Sequence, residues 1–197
     1  MRGVVFQSLD RTGLVRAVNR GLRGWLYEHE WRKVPVEATP SDRRSEGVWL
    51  LFADDDGIAR ELSARLQAWN HRFRLVTAGE TYEFNPDGPD AKLPPADAAA
   101  YSRLLSDVTA TGDSVSGFVY LFGLRETIED RRHLVLDDWS ARLETSVGGL
   151  TYLAQAIAHS GMSGKPRLIV GTRGALPVRP TPGYPRPDQA SLWGLCS

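Results

Sequence analysis

The chain has 197 residues, of which 42% are hydrophobic and 24% charged, and its 24 basic and 24 acidic side chains cancel to a formal net charge of zero. This length suits one domain with a sizeable core. Without a net field to attract phosphates or an anionic bilayer, we expect no nucleic acid and no membrane as partners. The single cysteine, Cys196, excludes an intrachain disulfide and a multi-cysteine metal site. No signal peptide and no apolar run of about 18 residues are present, so we expect a soluble cytoplasmic protein.

The first 47 residues fall into three segments of different composition. Residues 1–24 mix short apolar runs with arginines and end in glycines, which predicts a short strand, a helical turn and a linker. Residues 25–32 alternate aromatic and imidazole side chains with leucine and glutamates, the pattern of an edge strand. Residues 33–47 combine two prolines with polar side chains, which predicts a surface linker.

From Val48 onward, apolar strands alternate with amphipathic helices. Four apolar runs predict strands: residues 48–53, 72–77, 117–122 and 167–170. Three helices are predicted, the first with Ile58, Leu62, Leu66 and Trp69 on one stripe, the second over residues 97–108, and the third over residues 138–159 with Trp139, Leu143, Val147, Leu150, Leu153 and Ile157 on one stripe. Residues 81–84 are predicted as a short hairpin-like extension and residues 85–95 as a loop. This order predicts an α/β fold with a mostly parallel sheet and helices on both faces.

A dinucleotide-binding fold needs a glycine-rich turn between its first strand and helix, because the backbone must approach a pyrophosphate closely. The turn over residues 52–59 has one glycine, Gly57, and three carboxylates, which would repel that ligand. The pair Gly164-Lys165 is followed by a proline and lacks the upstream glycine of a P-loop. Nucleotide binding by this chain would therefore require an atypical phosphate site.

Three consecutive carboxylates, Asp54, Asp55 and Asp56, follow the first buried strand and allow two hypotheses. In the first, Asp55 or Asp56 caps the following helix, where a carboxylate satisfies a free backbone amide and meets the positive end of the helix dipole. In the second, Asp54 and Asp55 bind magnesium, as in the acidic pocket of a response-regulator receiver. A receiver also needs an aspartate at the end of its central strand and a lysine after a later one. Residues 118–125 contain no aspartate and Arg173 stands where the lysine is needed, so capping is favoured.

The remaining polar residues form no catalytic constellation. None of the six tyrosines is followed four residues later by lysine or asparagine, the spacing that short-chain reductases use. Metal-ligand spacing is missing among the four histidines, His29, His71, His133 and His159. Trp139 and Trp193 lie in helical patterns and are expected in the core. We therefore predict no catalytic residue, no cofactor-binding residue and no metal ligand in this chain.

Five segments in order resemble the structural subdomain of ketoreductases from modular type I polyketide synthases. They are residues 26–31, Trp49–Asp55, Leu153–Gly161, Arg167–Ala175 and Gln189–Leu195. The resemblance covers residues 25–195. Its most specific parts are Thr172–Ala175 and Gln189–Leu195, which are separated by a proline-rich loop.

A ketoreductase of that family has two Rossmann-like halves, a scaffold followed by a half that binds NADPH and reduces the β-keto group of an acyl chain on an acyl carrier protein. The resemblance implies a truncated Rossmann-like fold, with residues 1–24 as an upstream interdomain linker and residues 25–197 as the structural subdomain without the catalytic half. It implies no cofactor in this chain and NADPH in the catalytic subdomain. The implied partners are that subdomain and neighbouring synthase domains. No catalytic residue carries over, because no position here matches one.

The resemblance leaves three interpretations open. In the first the chain is an excised fragment, and in the second it is a scaffold separated from its catalytic half by an inserted domain. In the third it is a pseudo-ketoreductase that holds neighbouring domains in place. Two hypotheses of other classes are an independent nucleotide-binding or oxidoreductase domain with an atypical phosphate site, and a receiver-like module. A scaffold without its partner should expose an apolar or strand-edge surface, so we also expect self-association of the isolated chain.

Overall fold

The computed structural model describes residues 47–124, 136–162, 164, 166–176 and 186–196. These residues belong to the second of two compact units, which spans Pro40–Ser197. The linker predicted for residues 1–24 and the edge strand predicted for residues 25–32 lie outside the described residues, so both stay predictions. None of the helices in the described ranges is long and apolar enough to cross a membrane.

The described residues form one six-stranded sheet and five α-helices. The strands are β1 (Val48–Phe52), β2 (Phe73–Ala78), β3 (Glu83–Phe84), β4 (Asp90–Leu93), β5 (Val115–Tyr120) and β6 (Arg167–Val170). The helices are α1 (Ile58–Ala68), α2 (Ala98–Ala110), α3 (Leu136–Leu143), α4 (Gly149–His159) and α5 (Pro187–Cys196), and a π-helical turn, Glu144–Gly148, joins α3 to α4.

The sheet has the strand order β3-β4-β2-β1-β5-β6. All neighbouring strands are parallel except β3, which runs antiparallel to β4. The five parallel strands therefore follow the order 3-2-1-4-5 of a Rossmann fold. The predicted mostly parallel α/β fold is confirmed.

Helices cover both faces of the sheet, because successive side chains of a buried strand point to opposite sides. Leu50 and Phe52 of β1 enter a larger core beneath α2 and α4, whereas Leu51 enters a smaller one beneath α1. The ring of Phe52 lies 5.9 Å from that of Tyr101 and 5.6 Å from that of Tyr120. Aromatic packing thus joins the first strand to α2 and β5 at the centre of the larger core.

The loop predicted over residues 85–95 is wrong, because it contains β4. This strand pairs with β2 over four residues and with β3 over two. Only Ala91 and Leu93 are apolar in it, and aspartate, alanine and lysine are weak strand formers. Pairing with β2 and burial of Ala91 and Leu93 make the strand, so the local sequence could not reveal it.

The first helix forms where predicted, but its buried face is rotated from the predicted stripe. Ala59 and Leu66 are buried, whereas Ile58 is 39% and Trp69 64% exposed. At about 100° per residue, Ile58 lies roughly a quarter turn from the middle of the buried face. The predicted stripe is therefore buried at Leu66 but not at its two ends.

The long third helix is interrupted by the π-helical turn Glu144–Gly148. The hydroxyl of Tyr120 donates a hydrogen bond of 2.6 Å to the backbone carbonyl of Thr145 inside this turn. Leu150 and Leu153 of the predicted stripe are fully buried, and Trp139 is half-buried. The stripe is confirmed at its centre, and the wide turn gives the buried phenol an acceptor.

Two adjacent glycines at the start of α4 give opposite predictions. A Cβ on Gly149 would meet the hydroxyls of Tyr120 and Tyr101, while a Cβ on Gly148 would have its nearest neighbour at 3.8 Å. Gly149→Ala should lower the free energy of unfolding by about 1–3 kcal/mol through overpacking. Gly148→Ala should raise it by about 0.5–1 kcal/mol, because alanine favours helix. Urea unfolding of both variants measures the difference, and equal effects would contradict the tight packing at Gly149.

Candidate functional site

In a Rossmann sheet a ligand binds outside the carboxyl ends of the strands, where the strand order reverses. Here that switch point lies between β1 and β5. Three turns surround it: residues 53–57 after β1, residues 121–124 after β5 and residues 171–176 after β6. These turns form the candidate site.

The acidic turn after β1 caps α1 with its first aspartate. Asp54 accepts hydrogen bonds from the backbone N–H of Ile58 at 3.0 Å and of Ala59 at 2.7 Å. The prediction that Asp55 or Asp56 is the cap is therefore wrong. Gly57 adopts φ of +90°, a left-handed conformation that turns the chain so that Asp54 faces the start of the helix.

This cap occupies the groups that a nucleotide phosphate would need. The first N–H groups of the helix after β1, together with the helix dipole, are the anion-binding feature of a dinucleotide site. In this chain the Asp54 carboxylate already takes two of those N–H groups. A pyrophosphate would have to displace a carboxylate bound by its own chain and would meet its negative charge.

A second carboxylate of the same turn forms an ion pair across the switch point. Arg173, after β6, donates to Asp56 at 2.8 Å, and the Asp56 side chain is only 14% exposed. Since β5 lies between β1 and β6 in the sheet, this pair spans the end of β5.

The same arginine bears on the receiver hypothesis. Arg173 stands at the position where a receiver needs a lysine, but receivers have the strand order 2-1-3-4-5. The observed order sets the receiver hypothesis aside, and the described residues include no group of three His, Cys, Asp or Glu that could hold a metal.

Helix α5 covers the turn after β5. Its Gln189 is fully buried, donates to the backbone carbonyl of Gly123 and accepts from the backbone N–H of Arg173 at 3.1 Å. Leu192 packs against Gly123 so closely that a Cβ there would lie 2.7 Å from its Cδ1. One amide side chain thus joins the turns after β5 and β6. The two segments most specific to the family resemblance, Thr172–Ala175 and Gln189–Leu195, meet at this hydrogen bond.

Asp188, beside Gln189, is a buried carboxylate that accepts hydrogen bonds from two neighbouring side chains. Arg186 donates to it at 2.8 Å and Gln189 at 3.2 Å. Burial by itself would raise the pKa of Asp188, but the hydrogen bonds from Arg186 and Gln189 outweigh burial, so the pKa lies below its ordinary value. The carboxylate is therefore held charged as part of the fold.

Three of the described tyrosines are unsuited to proton transfer at the site. Burial raises the pKa of Tyr82, of Tyr101 and of Tyr120 above the ordinary value. Their hydroxyls donate to Asp107, to the Pro95 carbonyl and to the Thr145 carbonyl, respectively. A catalytic tyrosine needs the opposite shift.

Two further sequence predictions concern residues near this edge. Trp193, expected in the core, is 44% exposed, so that prediction is wrong. The buried residues of α5 are Asp188, Gln189 and Leu192, and apolar side chains occur all around this helix, so spacing could not orient it. His159 contacts the Gln155 carbonyl of its own helix at 2.7 Å and lies outside the three turns.

Comparisons with known proteins support the fold assignment. No protein-family model matches the chain. No curated protein matches it. Among solved structures, the chain is similar to an adenylation, ketoreductase and pseudo-Asub multidomain structure of a keto acid-selecting NRPS module, with a TM-score of 0.66 and 18% identity over 82% of this chain and 13% of that one. It is also similar to an N-terminal ketoreductase from the macrolactin assembly line, with a TM-score of 0.52 and 17% identity over 68% of this chain and 27% of that one.

A third similar structure is a short-chain dehydrogenase/reductase from Serratia marcescens, with a TM-score of 0.56 and 20% identity over 76% of this chain and 69% of that one. The chain spans well under a third of the first two structures. The strand order and these similarities together show a Rossmann-like fold.

The Asp54 cap can be tested by two substitutions. Asp54→Ala should lower the free energy of unfolding by about 0.5–2 kcal/mol, because two N–H groups lose their acceptor. Asp54→Asn, which keeps an oxygen acceptor, should lose less. Thermal melts with and without magnesium measure both effects. A magnesium-dependent rise of the melting temperature that disappears in Asp54→Ala would show a metal site in place of a cap.

Asp188 should make stability depend on pH in the acid range. Because its folded-state pKa is lowered, its contribution is complete above the ordinary carboxyl pKa of about 4 and is lost as the pH falls through the folded-state value. Asp188→Asn should therefore be less stable than the native chain at pH 7, and the gap should close toward pH 2–3, by about 1.4 kcal/mol for each unit of pKa depression. Urea midpoints across this range measure the gap, with Asp87→Asn on an exposed loop as the control. A gap independent of pH would contradict the lowered pKa.

Proposed function

We propose that this chain is the noncatalytic scaffold subdomain of a polyketide synthase ketoreductase. In this role it stabilises a separate catalytic half that binds NADPH and reduces the β-keto group of an acyl chain carried by an acyl carrier protein. The cofactor belongs to that half and not to this chain. The two ketoreductase-containing structures with the same fold, one of them from the macrolactin assembly line, support the proposal.

The observation that carries the proposal is that the protein's own side chains bind the polar groups at the switch point. Asp54 takes the N–H groups at the start of α1, and Arg173 pairs with Asp56 across the end of β5. Gln189 forms one hydrogen bond with the turn after β5 and one with the turn after β6. A cofactor-binding domain keeps these polar groups open for its ligand, whereas a scaffold gains stability by satisfying them internally.

The exposed edge strand of the sheet also favours a protein partner. Among the described strands, β6 is the last on its side of the sheet, and Leu168 and Ile169 on it are 40% and 49% exposed. Strand edges with exposed apolar side chains are usually covered in the working form of a protein. A catalytic half packed against this edge would cover it.

The competing function is an independent oxidoreductase with an atypical phosphate site. It is favoured by the fit to the Serratia marcescens short-chain dehydrogenase/reductase, of which this chain matches 69%. The two functions differ in one property of the isolated chain, which is cofactor binding.

The test has two arms. In the first, NADPH is titrated into the chain alone, and we expect no saturable change of cofactor fluorescence at micromolar concentrations and no reduction of a model cyclic ketone. In the second, the chain is mixed with the separately produced catalytic half of a ketoreductase of this type, and molecular mass and NADPH-dependent reduction are measured. We expect a one-to-one complex and a higher reductase rate than that of the catalytic half alone.

The controls separate the alternatives. Heat-unfolded chain should give neither complex nor rate increase, which excludes a nonspecific protein effect. Saturable NADPH binding or ketone turnover by the chain alone would establish the independent oxidoreductase. A catalytic half that neither binds the folded chain nor gains activity from it would overturn the scaffold function.

A further inference from the structure

The chain contains two aspartate–glycine pairs, and the structure gives them opposite surroundings. Asp56 and Gly57 lie in the turn after β1, whereas Asp87 and Gly88 lie in the turn that joins β3 to β4. Such a pair is reactive because glycine has no side chain to hinder its backbone nitrogen, which can attack the carboxyl carbon of the preceding aspartate. The contacts around each pair therefore decide whether this reaction proceeds in the folded protein.

The reaction needs no enzyme and no reactant besides water. The backbone nitrogen of the glycine forms a bond to the aspartate Cγ, and its proton leaves with the carboxyl hydroxyl as water, which closes a succinimide ring. Water then adds to one of the two ring carbonyls and breaks its bond to nitrogen. Opening at Cγ restores aspartate. Opening at the former backbone carbonyl leaves isoaspartate, in which the main chain runs through Cβ and Cγ.

The pair in the turn after β1 is held on both sides. The carboxylate of Asp56 accepts from Arg173 at 2.8 Å, and the Asp56 side chain is only 14% exposed. The carbonyl of Gly57 accepts from the N–H of Glu61 at 3.1 Å, so this glycine is part of the first turn of α1. For ring closure the carboxyl group would have to leave Arg173 and the glycine would have to leave the helix start. The fold therefore protects this pair.

The pair in the β3–β4 turn has no such restraint on its reacting groups. Asp87 is exposed, and within the described ranges its carboxylate has no hydrogen bond or ion pair. The N–H of Gly88 donates only to the carbonyl of Asn85, at 3.3 Å, which is longer than an ordinary N–H···O hydrogen bond. Solvent reaches the carboxyl group, so both steps of the reaction are open to this pair.

A buried arginine makes the β3–β4 turn sensitive to the product. Arg74 is 6% exposed and donates to the carbonyls of Asn85 and Pro86, each at 2.8 Å, and to that of Gly88. Isoaspartate adds one carbon to the main chain between Pro86 and Gly88, so these carbonyls can no longer keep the spacing that a rigid planar guanidinium requires. Because Arg74 is buried, water does not replace a lost acceptor. Isomerisation therefore loosens the connection between β3 and β4.

We propose that Asp87–Gly88 is a site of spontaneous isoaspartate formation in the folded chain and that the product breaks contacts of Arg74 with the β3–β4 turn. Asp56–Gly57 stays unmodified, because its ion pair and its place in α1 hold it. The proposal does not depend on the scaffold function, since it uses only residues of this chain and water.

The test ages the full chain for several weeks near neutral pH and body temperature. Isoaspartate is counted by methyl transfer from an isoaspartyl methyltransferase and is located by peptide mapping. In the folded chain we expect about tenfold more isoaspartate at position 87 than at position 56, because the fold raises the barrier only at Asp56. In the urea-unfolded chain both pairs should react at similar rates.

Two variants check the assignment. Asp87→Glu should abolish the product, because glutamate would have to form a larger ring. The matched control is Asp90→Glu, at an exposed aspartate of β4 that precedes alanine, and it should age like the native chain. Circular dichroism confirms that both variants are folded.

The effect on Arg74 has its own measurement. Aged chains that carry isoaspartate are separated by ion exchange and should melt at a lower temperature than unmodified chains from the same sample. An equal melting temperature would overturn the loss of the Arg74 contacts. Folded chain without isoaspartate at position 87, or with as much at position 56, would overturn the modification site.

Discussion

The carboxylate of Asp54, held over the first turn of α1, determines what the carboxyl edge of the sheet can do. In a Rossmann fold, this helix N-terminus offers backbone N–H groups and a positive dipole end to a phosphate. Here the chain supplies its own anion, with oxygens 3.0 and 2.7 Å from the N–H groups of Ile58 and Ala59. Asp56, two residues later, pairs with Arg173, so both acidic side chains are engaged within the protein.

The remaining polar groups at this edge of the sheet are also bonded within the protein. Gln189 is fully buried and bonded at both ends of its amide, and the Asp188 carboxylate is kept charged by Arg186. Buried polar groups that are all satisfied rigidify a structure and leave little to offer a ligand. The contrasting region is the exposed part of β6 and α5, because there the apolar side chains of Leu168, Trp193 and Leu195 meet solvent. The molecule thus combines a carboxyl edge whose polar groups are bonded internally with an exposed apolar face.

Most of the fold could be predicted from local patterns, and the failures share one cause. Strands β1, β5 and β6 are located by short runs rich in apolar residues. Strand β4 was missed because its formation depends on pairing with β2, and a local pattern of residues cannot show that pairing. Periodicity placed α1 correctly but gave the wrong rotation for Ile58, because the direction of the buried face depends on what the helix packs against.

The sequence by itself determined the class of the domain, the lack of a glycine-rich phosphate turn, and the presence of a helix cap within three aspartates, since these depend on residue types close together in the chain. Tertiary structure alone decided which aspartate caps the helix, because the left-handed turn at Gly57 selects Asp54. It also decided that Arg173 and Gln189 close the edge, since each meets partners distant in sequence. Side-chain identity sets what a residue can bind, but only the folded chain sets which groups come within hydrogen-bonding distance.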